Sequence, residues 1–325
     1  MPNRKPRISI GLPIYNAERF LEEGLNSLLG QTFEDFELII SDNGSTDRTE
    51  EICRDYLAAD RRIRFYRNPC NMGAGWNHNR VLELAEGEYF KWASYDDLLE
   101  PQFLERCIDV LDRDSSVVLA HSKTRILDTE NNTLKDYWYS LRTDSPKAWV
   151  RFADLLLTNH HCYHVYGLIR AGVIKRNPLG NFVGGDNVLL ARLALFGRFY
   201  DVPECLFISR KHRAQSSQTL PTRLKTRRWR LTNRCGSLPC AEWWDPACKR
   251  AIVFPEFRQL REYARCLEGV SLSPLDRLAC SWVLARWVPL HARRMAKDVL
   301  VAADQVVDNL LAARVQVPQL EKSER

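Results

Sequence analysis

The feature that most constrains this chain is an alternation running from residue 7 to residue 120. Short apolar runs take turns there with segments whose apolar residues recur at helical spacing. Residues 7–12 form an apolar run that Pro13 ends. Residues 17–29 place Phe20, Leu21, Leu25, Leu28 and Leu29 on one helical face, and Gly30 stops them. A second strand is expected over 36–41 and a helix over 47–59, where Asp47 and Glu50 have the spacing of a capping box. Residues 63–66, 89–93 and 117–120 read as further strands, and 76–85 as a helix. Pro101 stands where it would open another helix at its favoured first position. Strands alternating with helices pair in parallel, so the fold class is α/β. Ligands in such sheets bind beyond the carboxyl ends of the strands, which directs attention to the loops after strands one, two and four.

Beyond residue 120 the pattern is mixed. Asn131-Asn132 has the character of a turn between two strands, 165–170 reads as a strand, and 187–195 as a helix. Two strands are expected over 198–202 and 206–210. After Ser216 the sequence is mostly helical and carries Trp229, Trp243, Trp244, Trp282 and Trp287. A chain of 325 residues suits one large domain plus an extension, divided here into 1–215 and 216–325.

The ten cysteines form no CxxC pair, which is the usage of reduced thiols. Cys235, Cys240 and Cys248 lack the spacing of common zinc modules. The basic N-terminus is followed by no apolar stretch of the signal-peptide kind. The longest membrane-span candidate, 278–290, is broken by Arg286 and Pro289. The chain is therefore expected in the cytoplasm or on the inner face of a membrane. Its net charge of +6 suits nucleic acid, anionic lipid and phosphorylated substrates equally, and decides among none of them.

Three loops at strand ends or helix starts carry carboxylates. Asp42 closes the second strand, Asp96 and Asp97 close the fourth, and Asp186 precedes a helix. A lone Asp at such a place is ordinarily a cap or turn residue. Two adjacent aspartates after an apolar strand repel each other unless a cation compensates. Oxygen ligands suit Mg²⁺ or Mn²⁺.

At these residues the chain resembles the inverting glycosyltransferase family 2, whose members have the GT-A fold. The resemblance covers about residues 7–215. It rests on ordered motifs: Gly-Leu-Pro-Ile-Tyr-Asn (11–16), Ser-Asp-Asn-Gly-Ser-Thr-Asp (41–47), Asn-Met-Gly (71–73), Gly-Glu-Tyr-Phe-Lys-Trp (87–92), Ser-Tyr-Asp-Asp (94–97), Gly-Gly-Asp (184–186) and Arg-Lys-His (210–212). It implies a nucleotide-sugar donor, a UDP-sugar by default, bound about residues 7–120. The acceptor, bound about 121–215, would be a glycan, a lipid-linked sugar or a small molecule. Nucleic acid is not implied as a partner. Pro13 and Tyr15 would line the base pocket, Asp42 would accept a hydrogen bond from the base, and Asn43 would support that loop. Asn71 and Gly73 would close over the nucleoside. Asp96 would contact the ribose and, with Asp97 and His212, the Mn²⁺ or Mg²⁺ ion. Asp186 would be the catalytic base. Two positions depart from the family's usual pattern: Ser94 stands where an acid is common, and Gly185 where Glu commonly precedes the base.

Other signals point elsewhere with less support. His160, His161 and His164 have no acidic or cysteine partner at helical spacing. Lys225-Thr-Arg-Arg-Trp departs from the Gln-x-x-Arg-Trp of processive synthases at its first residue, so single-sugar transfer is expected. Asn71-Met-Gly-Ala-Gly-Trp lacks the pattern of a dinucleotide or P-loop site. An inert sugar-nucleotide-binding protein on the same fold, or a nucleotidyltransferase releasing pyrophosphate, are the rival readings. The C-terminal Trp and Arg residues suit either packing on the catalytic domain or contact with a membrane surface.

Overall fold

The computed structural model describes residues 5–137, 140–212, 215, 238–248 and 251–315. The strands are β1 (Ile8–Ile14), β2 (Phe36–Asp42), β3 (Ile63–Arg67), β4 (Tyr89–Trp92), β5 (Leu98–Leu99), β6 (Val117–Leu127), β7 (Thr133–Tyr137), β8 (Leu168–Arg170) and β9 (Arg198–Arg210). The helices are α1 (Leu21–Leu29), α2 (Thr49–Ala59), α3 (Ala74–Leu84), α4 (Phe103–Arg113), α5 (Ala148–Leu157), α6 (Ala171–Ile174) and α7 (Gly185–Phe196). They continue with α8 (Leu238–Trp244), α9 (Pro255–Cys266) and α10 (Pro274–Val315).

The strands form one mixed sheet in the order β3-β2-β1-β4-β8-β6-β9-β5, with β7 paired to β6. The β3-β2-β1-β4 half is parallel. In the other half β8 runs antiparallel to β4 and β6, and β9 runs parallel to β6. Every residue of β2 and β4 is buried, as expected when helices cover both faces. The two-residue period of a strand sorts side chains between the faces. Ile8, Ile10, Leu12 and Ile14 of β1 meet Leu21 and Leu25 of α1, Ile52 of α2 and Phe103 of α4. Ile39, Phe90 and Trp92 point the other way, to Val81 of α3 and Leu190 of α7. Each such Leu or Ile removed from water contributes about 1.5–3 kcal/mol.

A third apolar cluster joins Phe152 and Leu156 of α5 and Val188 and Ala191 of α7 to Tyr263 and Cys266 of α9 and Val283 and Trp287 of α10. Helix α7 is thereby held between the sheet and the C-terminal helices, which fixes the position of its first turn. No helix among the described residues is long and apolar enough to cross a membrane.

Several elements differ from expectation for local reasons. Strands 198–202 and 206–210 are one strand, β9. Its register against β6 steps from Ser122↔Val202 to Lys123↔Cys205, so Pro203 and Glu204 form a bulge in it. β6 continues past Ala120 to Leu127, turning at Asn131, whose φ is 64°. Pro101 lies before α4, which starts at Phe103 behind Gln102; its carbonyl accepts from the Thr32 amide at 2.9 Å. No capping box forms at α2. Asp47 accepts from the Thr49 and Glu18 amides, and Glu50 binds Arg54. The segment expected as a strand over 165–170 begins with a 3₁₀ turn (Tyr163–Tyr166), and only Leu168–Arg170 is extended.

Candidate active site

The parallel strands β1 and β2 end together, with Ile14 opposite Asp42, while β4 ends beside them three residues earlier, with Trp92 opposite Gly11. Pro13 is the penultimate residue of β1, and Tyr15 follows the strand with 42% of its surface exposed. Asp42 is fully buried. Its Oδ1 accepts from the Ser45 amide at 3.0 Å and from the Ser45 hydroxyl, and its Oδ2 accepts from Arg67 Nε at 3.2 Å. Both oxygens are thus engaged within the protein. A nucleotide base would reach Asp42 by displacing these partners, Arg67 being the half-exposed one.

Asn43 acts as a latch. Its Nδ2 donates to Asn71 Oδ1 at 2.9 Å and to the Gly73 carbonyl at 3.3 Å, while its Oδ1 accepts from the Met72 amide at 3.0 Å and from Asn68 Nδ2 at 3.1 Å. Asn77 continues the network to Ser41, accepting from its hydroxyl at 2.6 Å and donating to its carbonyl at 2.9 Å. The Asn71–Gly73 loop is thereby tied to the end of β2. Asn68 and Asn77 were not singled out from the sequence, because a buried Asn just after a strand or inside an amphipathic helix has no pattern of its own.

Asp96 is buried and held at both oxygens. Ser94 Oγ donates to Oδ1, and His212 Nε2 lies 2.8 Å from Oδ2. Ser94 therefore hydrogen-bonds the aspartate two residues along, where the family commonly has another acid. Asp97 accepts from the Arg210 amide at 3.1 Å. Burial, and then the charge of Asp96, push the Asp97 carboxyl up from its ordinary range. The end of β9 is seated on the loop after β1: the Phe20 ring lies 4.7 Å from the His212 ring and 4.6 Å from the Arg210 guanidinium carbon.

No three His, Cys, Asp or Glu side chains converge on one metal position among the described residues. The donors present fit a cation shared with substrate. Asp96 and His212 stand together, the buried His212 Nδ1 has no partner among the described residues, and Asp97 holds a carboxyl that a cation would relieve. Mg²⁺ and its relatives commonly take one or two carboxylates and fill the remaining positions with water and substrate phosphate.

Asp186 lies in the first turn of α7, its Oδ1 accepting from the amide of Asn187 at 2.9 Å and from its side chain at 3.2 Å. What links it to the acidic pair is Tyr166. Burial raises the Tyr166 phenol well above its ordinary range. The charges of Asp97, Asp96 and Asp186 add to that, and a hydrogen bond with Ser94 opposes it. The ring stacks on Phe207 at 5.6 Å, and Lys91 Nζ donates to its carbonyl. The charges of carboxylates from the β4 loop and from α7 therefore act on one phenol. Sequence reasoning missed Tyr166 because it placed the residue inside a strand.

Cys162, His78 and Tyr263 also sense Asp186. Burial and Asp186 push the Cys162 thiol well up, which keeps it a thiol and unsuits it as a nucleophile. Gly184 adopts φ 82°, the left-handed region, and a Cβ there would lie 1.5 Å from Gln259 Nε2 of α9. A Cβ on Gly185 would lie 2.2 Å from the Gly180 carbonyl. The glycine in place of the family's common Glu thus matches a loop folded tightly over the start of α7.

His164 is buried, with Nε2 2.7 Å from Asp201 Oδ1, and His160 lies by the Leu155 carbonyl. Neither belongs to a metal cluster among the described residues. The side chains of Cys235 and Cys240, and the Lys225–Trp229 segment, lie outside the described residues; Cys248 is a free thiol.

A family profile described as glycosyl transferase family 2 matches residues 9–176. An uncharacterized glycosyltransferase of Haemophilus influenzae is 35% identical over 130 residues, which is 40% of this chain and 52% of that protein. An uncharacterized glycosyltransferase of Rickettsia typhi is 29% identical over 226 residues, covering 68% of this chain and 69% of the relative. The chondroitin synthase of Escherichia coli is 35% identical over 133 residues, but these make up only 19% of its length. The chain thus spans about half of the first relative and a small part of the third. Among solved structures, S. aureus TarS 1-349 in complex with UDP-GlcNAc superposes with a TM-score of 0.59 at 20% identity, over 88% of this chain and 72% of that one. This likeness establishes the GT-A fold: a mixed sheet between helices, with helices following it.

Proposed function

The chain belongs to glycosyltransferase family 2, and from that premise we propose that it transfers a single sugar, with inversion, from a nucleotide-sugar donor to an acceptor hydroxyl in glycoconjugate or polysaccharide assembly. The observation that carries this reading is the meeting of the β4 loop with the end of β9, where His212 Nε2 lies 2.8 Å from Asp96 and the Arg210 amide holds Asp97, with Asp186 near enough for its charge to act, as theirs do, on the Tyr166 phenol. A transferase needs such a division, with one group of residues at the leaving diphosphate and a base toward the acceptor.

In this reading Pro13, Tyr15 and the latched Asn71–Gly73 loop receive the nucleoside, Asn43 holds that loop, and Asp42 shapes the floor beneath the base. Asp96 and His212, with Asp97 beside them, would hold Mn²⁺ or Mg²⁺. When bound, the ion neutralises charge on the departing diphosphate. Ser94 and the Arg210 amide orient the two aspartates. Asp186 accepts the proton of the acceptor hydroxyl. Residues 1–215 would form the catalytic domain and 216–325 the helical extension. A UDP-sugar is the first donor to try, UDP-GlcNAc being the ligand in the TarS structure.

The test is Asp186→Asn, assayed for nucleoside diphosphate release with acceptor present and for donor binding by calorimetry. Donor affinity should stay within a few-fold while transfer falls by about 10²–10⁴. Undiminished transfer would remove Asp186 as the base. Pyrophosphate as the released product would favour the nucleotidyltransferase, and donor binding without turnover in the wild type would favour the inert binder.

A further inference from the structure

The C-terminal helix α10 uses only one of its faces for folding. Cys280, Val283, Trp287 and Val301 turn inward and are buried, the first three against α5 and α9. On the opposite face Leu275 is 80% exposed, Leu278 69%, Trp282 62% and Leu300 60%. These residues fall at helical spacing along a single outward stripe. Large apolar side chains lined up this way are not the scattered single exposures usual on a soluble surface.

Basic residues are interleaved with that stripe. Arg286 stands one turn beyond Trp282, its guanidinium carbon 5.7 Å from the centre of the indole. Arg293 and Lys297 follow at the same helical period. Among the described residues none of these three forms an ion pair. Of the described acids of α10, Asp276 accepts from Ser273, and Asp298 is buried, accepting from the Glu256 amide and feeling the charge of the neighbouring Lys297, so Arg286 and Arg293 are left without a described acid of this helix against them.

We propose that this face of α10 docks on an anionic lipid surface, lying in the headgroup plane with Leu275, Leu278 and Trp282 entering the acyl boundary and Arg286, Arg293 and Lys297 meeting phosphate. An aromatic and leucine stripe flanked by cations, on a helix whose other face is packed, is what an interfacial helix requires. Each such cation near an anionic membrane adds attraction that salt screens. A second copy of the chain fits less well. Pairing along this face would bring two sets of Arg286 and Arg293 together, with no exposed acid on the face among the described side chains to compensate.

The experiment uses the full chain and vesicles of phosphatidylcholine alone or with phosphatidylglycerol. Wild type should co-sediment with the anionic vesicles at low salt and be released by high salt. Arg286→Glu/Arg293→Glu should weaken that binding by at least about tenfold, and Trp282→Ser, which changes no charge, should weaken it as well. These side chains point outward, and an unchanged thermal melt verifies that each variant is folded. Failure to bind anionic vesicles, equal binding to neutral ones, or a concentration-dependent dimer that Trp282→Ser dissociates would overturn the proposal. Vesicle binding needs no sugar donor, so its outcome is separate from that of the transferase reading.

Discussion

Lys91 is a cation buried beneath the loops that carry the site. It sits in the middle of β4, 1% exposed, with its ammonium 4.6 Å from the centre of Phe103 and bonded to the Tyr166 carbonyl. Burial pulls its pKa down to about 7 from 10.5. Between these values the unfolded chain holds a proton that the folded chain has released, so raising the pH stabilises the fold. Below about pH 7 both states are charged and the cost of burial is constant. Comparing wild type with Lys91→Met, the stability difference should shift in favour of wild type by up to about 1.4 kcal/mol per pH unit between pH 7 and 10. Chemical denaturation across that range measures it, and a pH-independent difference would show that Lys91 is not held near neutral. Nothing in the sequence announced this. Lys91 lies within Gly-Glu-Tyr-Phe-Lys-Trp, and a lysine in a strand ordinarily faces water.

At the scale of elements, two loops bear on the site. The first is the latch between Asn43 and the Asn71–Gly73 loop. Asn43→Ala takes the acceptor from the Met72 amide, while Asn71 Oδ1 keeps the Gly73 amide and the Gly73 carbonyl keeps the Asn77 amide, so the loss of the latch should cost about 1–3 kcal/mol in total. The expected kinetic result is a donor KM raised several-fold more than kcat falls, because a looser lid binds the nucleoside poorly while the acidic residues stay in place. A fall in kcat alone would place Asn43 elsewhere in the mechanism. The second is the turn before α7. Gly184→Ala puts a side chain at φ 82° against Gln259, and should cost about 1–2 kcal/mol or more in the thermal unfolding of the whole chain. An unaltered melt would mean that the folded chain does not hold this turn in the left-handed conformation. The strands and helices of the first 120 residues were legible because apolar periodicity reports burial directly. The bulge at Pro203-Glu204 was not, since a bulge leaves the same gap in the pattern as a loop between two strands. The helix caps were misplaced because Asp47 and Pro101 are held by partners distant in sequence, Glu18 and Thr32.

For the molecule as a whole, the sheet topology brings together residues far apart in the chain. Asp96 and Asp97 leave the end of β4, His212 and Arg210 come from the end of β9, and Asp186 starts a helix clamped between the sheet and the C-terminal helices. The sequence motifs could name these side chains. Only the fold could show that the charges of all three aspartates act on Tyr166 and that Asp42 is engaged internally, because both depend on a three-dimensional arrangement that no spacing encodes. The proposed function turns on these acidic residues binding a nucleotide sugar through a divalent cation. The most direct measurement is thermal unfolding of wild type and Asp96→Ala against a panel of nucleotide sugars, with and without Mn²⁺. A ligand that binds only the folded state stabilises it by about 2.7 kcal/mol at a hundredfold excess over its Kd. At least one nucleotide sugar should raise the wild-type midpoint, Mn²⁺ should enlarge the rise, and Asp96→Ala should abolish the enlargement. A panel in which no nucleotide sugar shifts the midpoint, or in which Asp96→Ala responds to Mn²⁺ as wild type does, would contradict it.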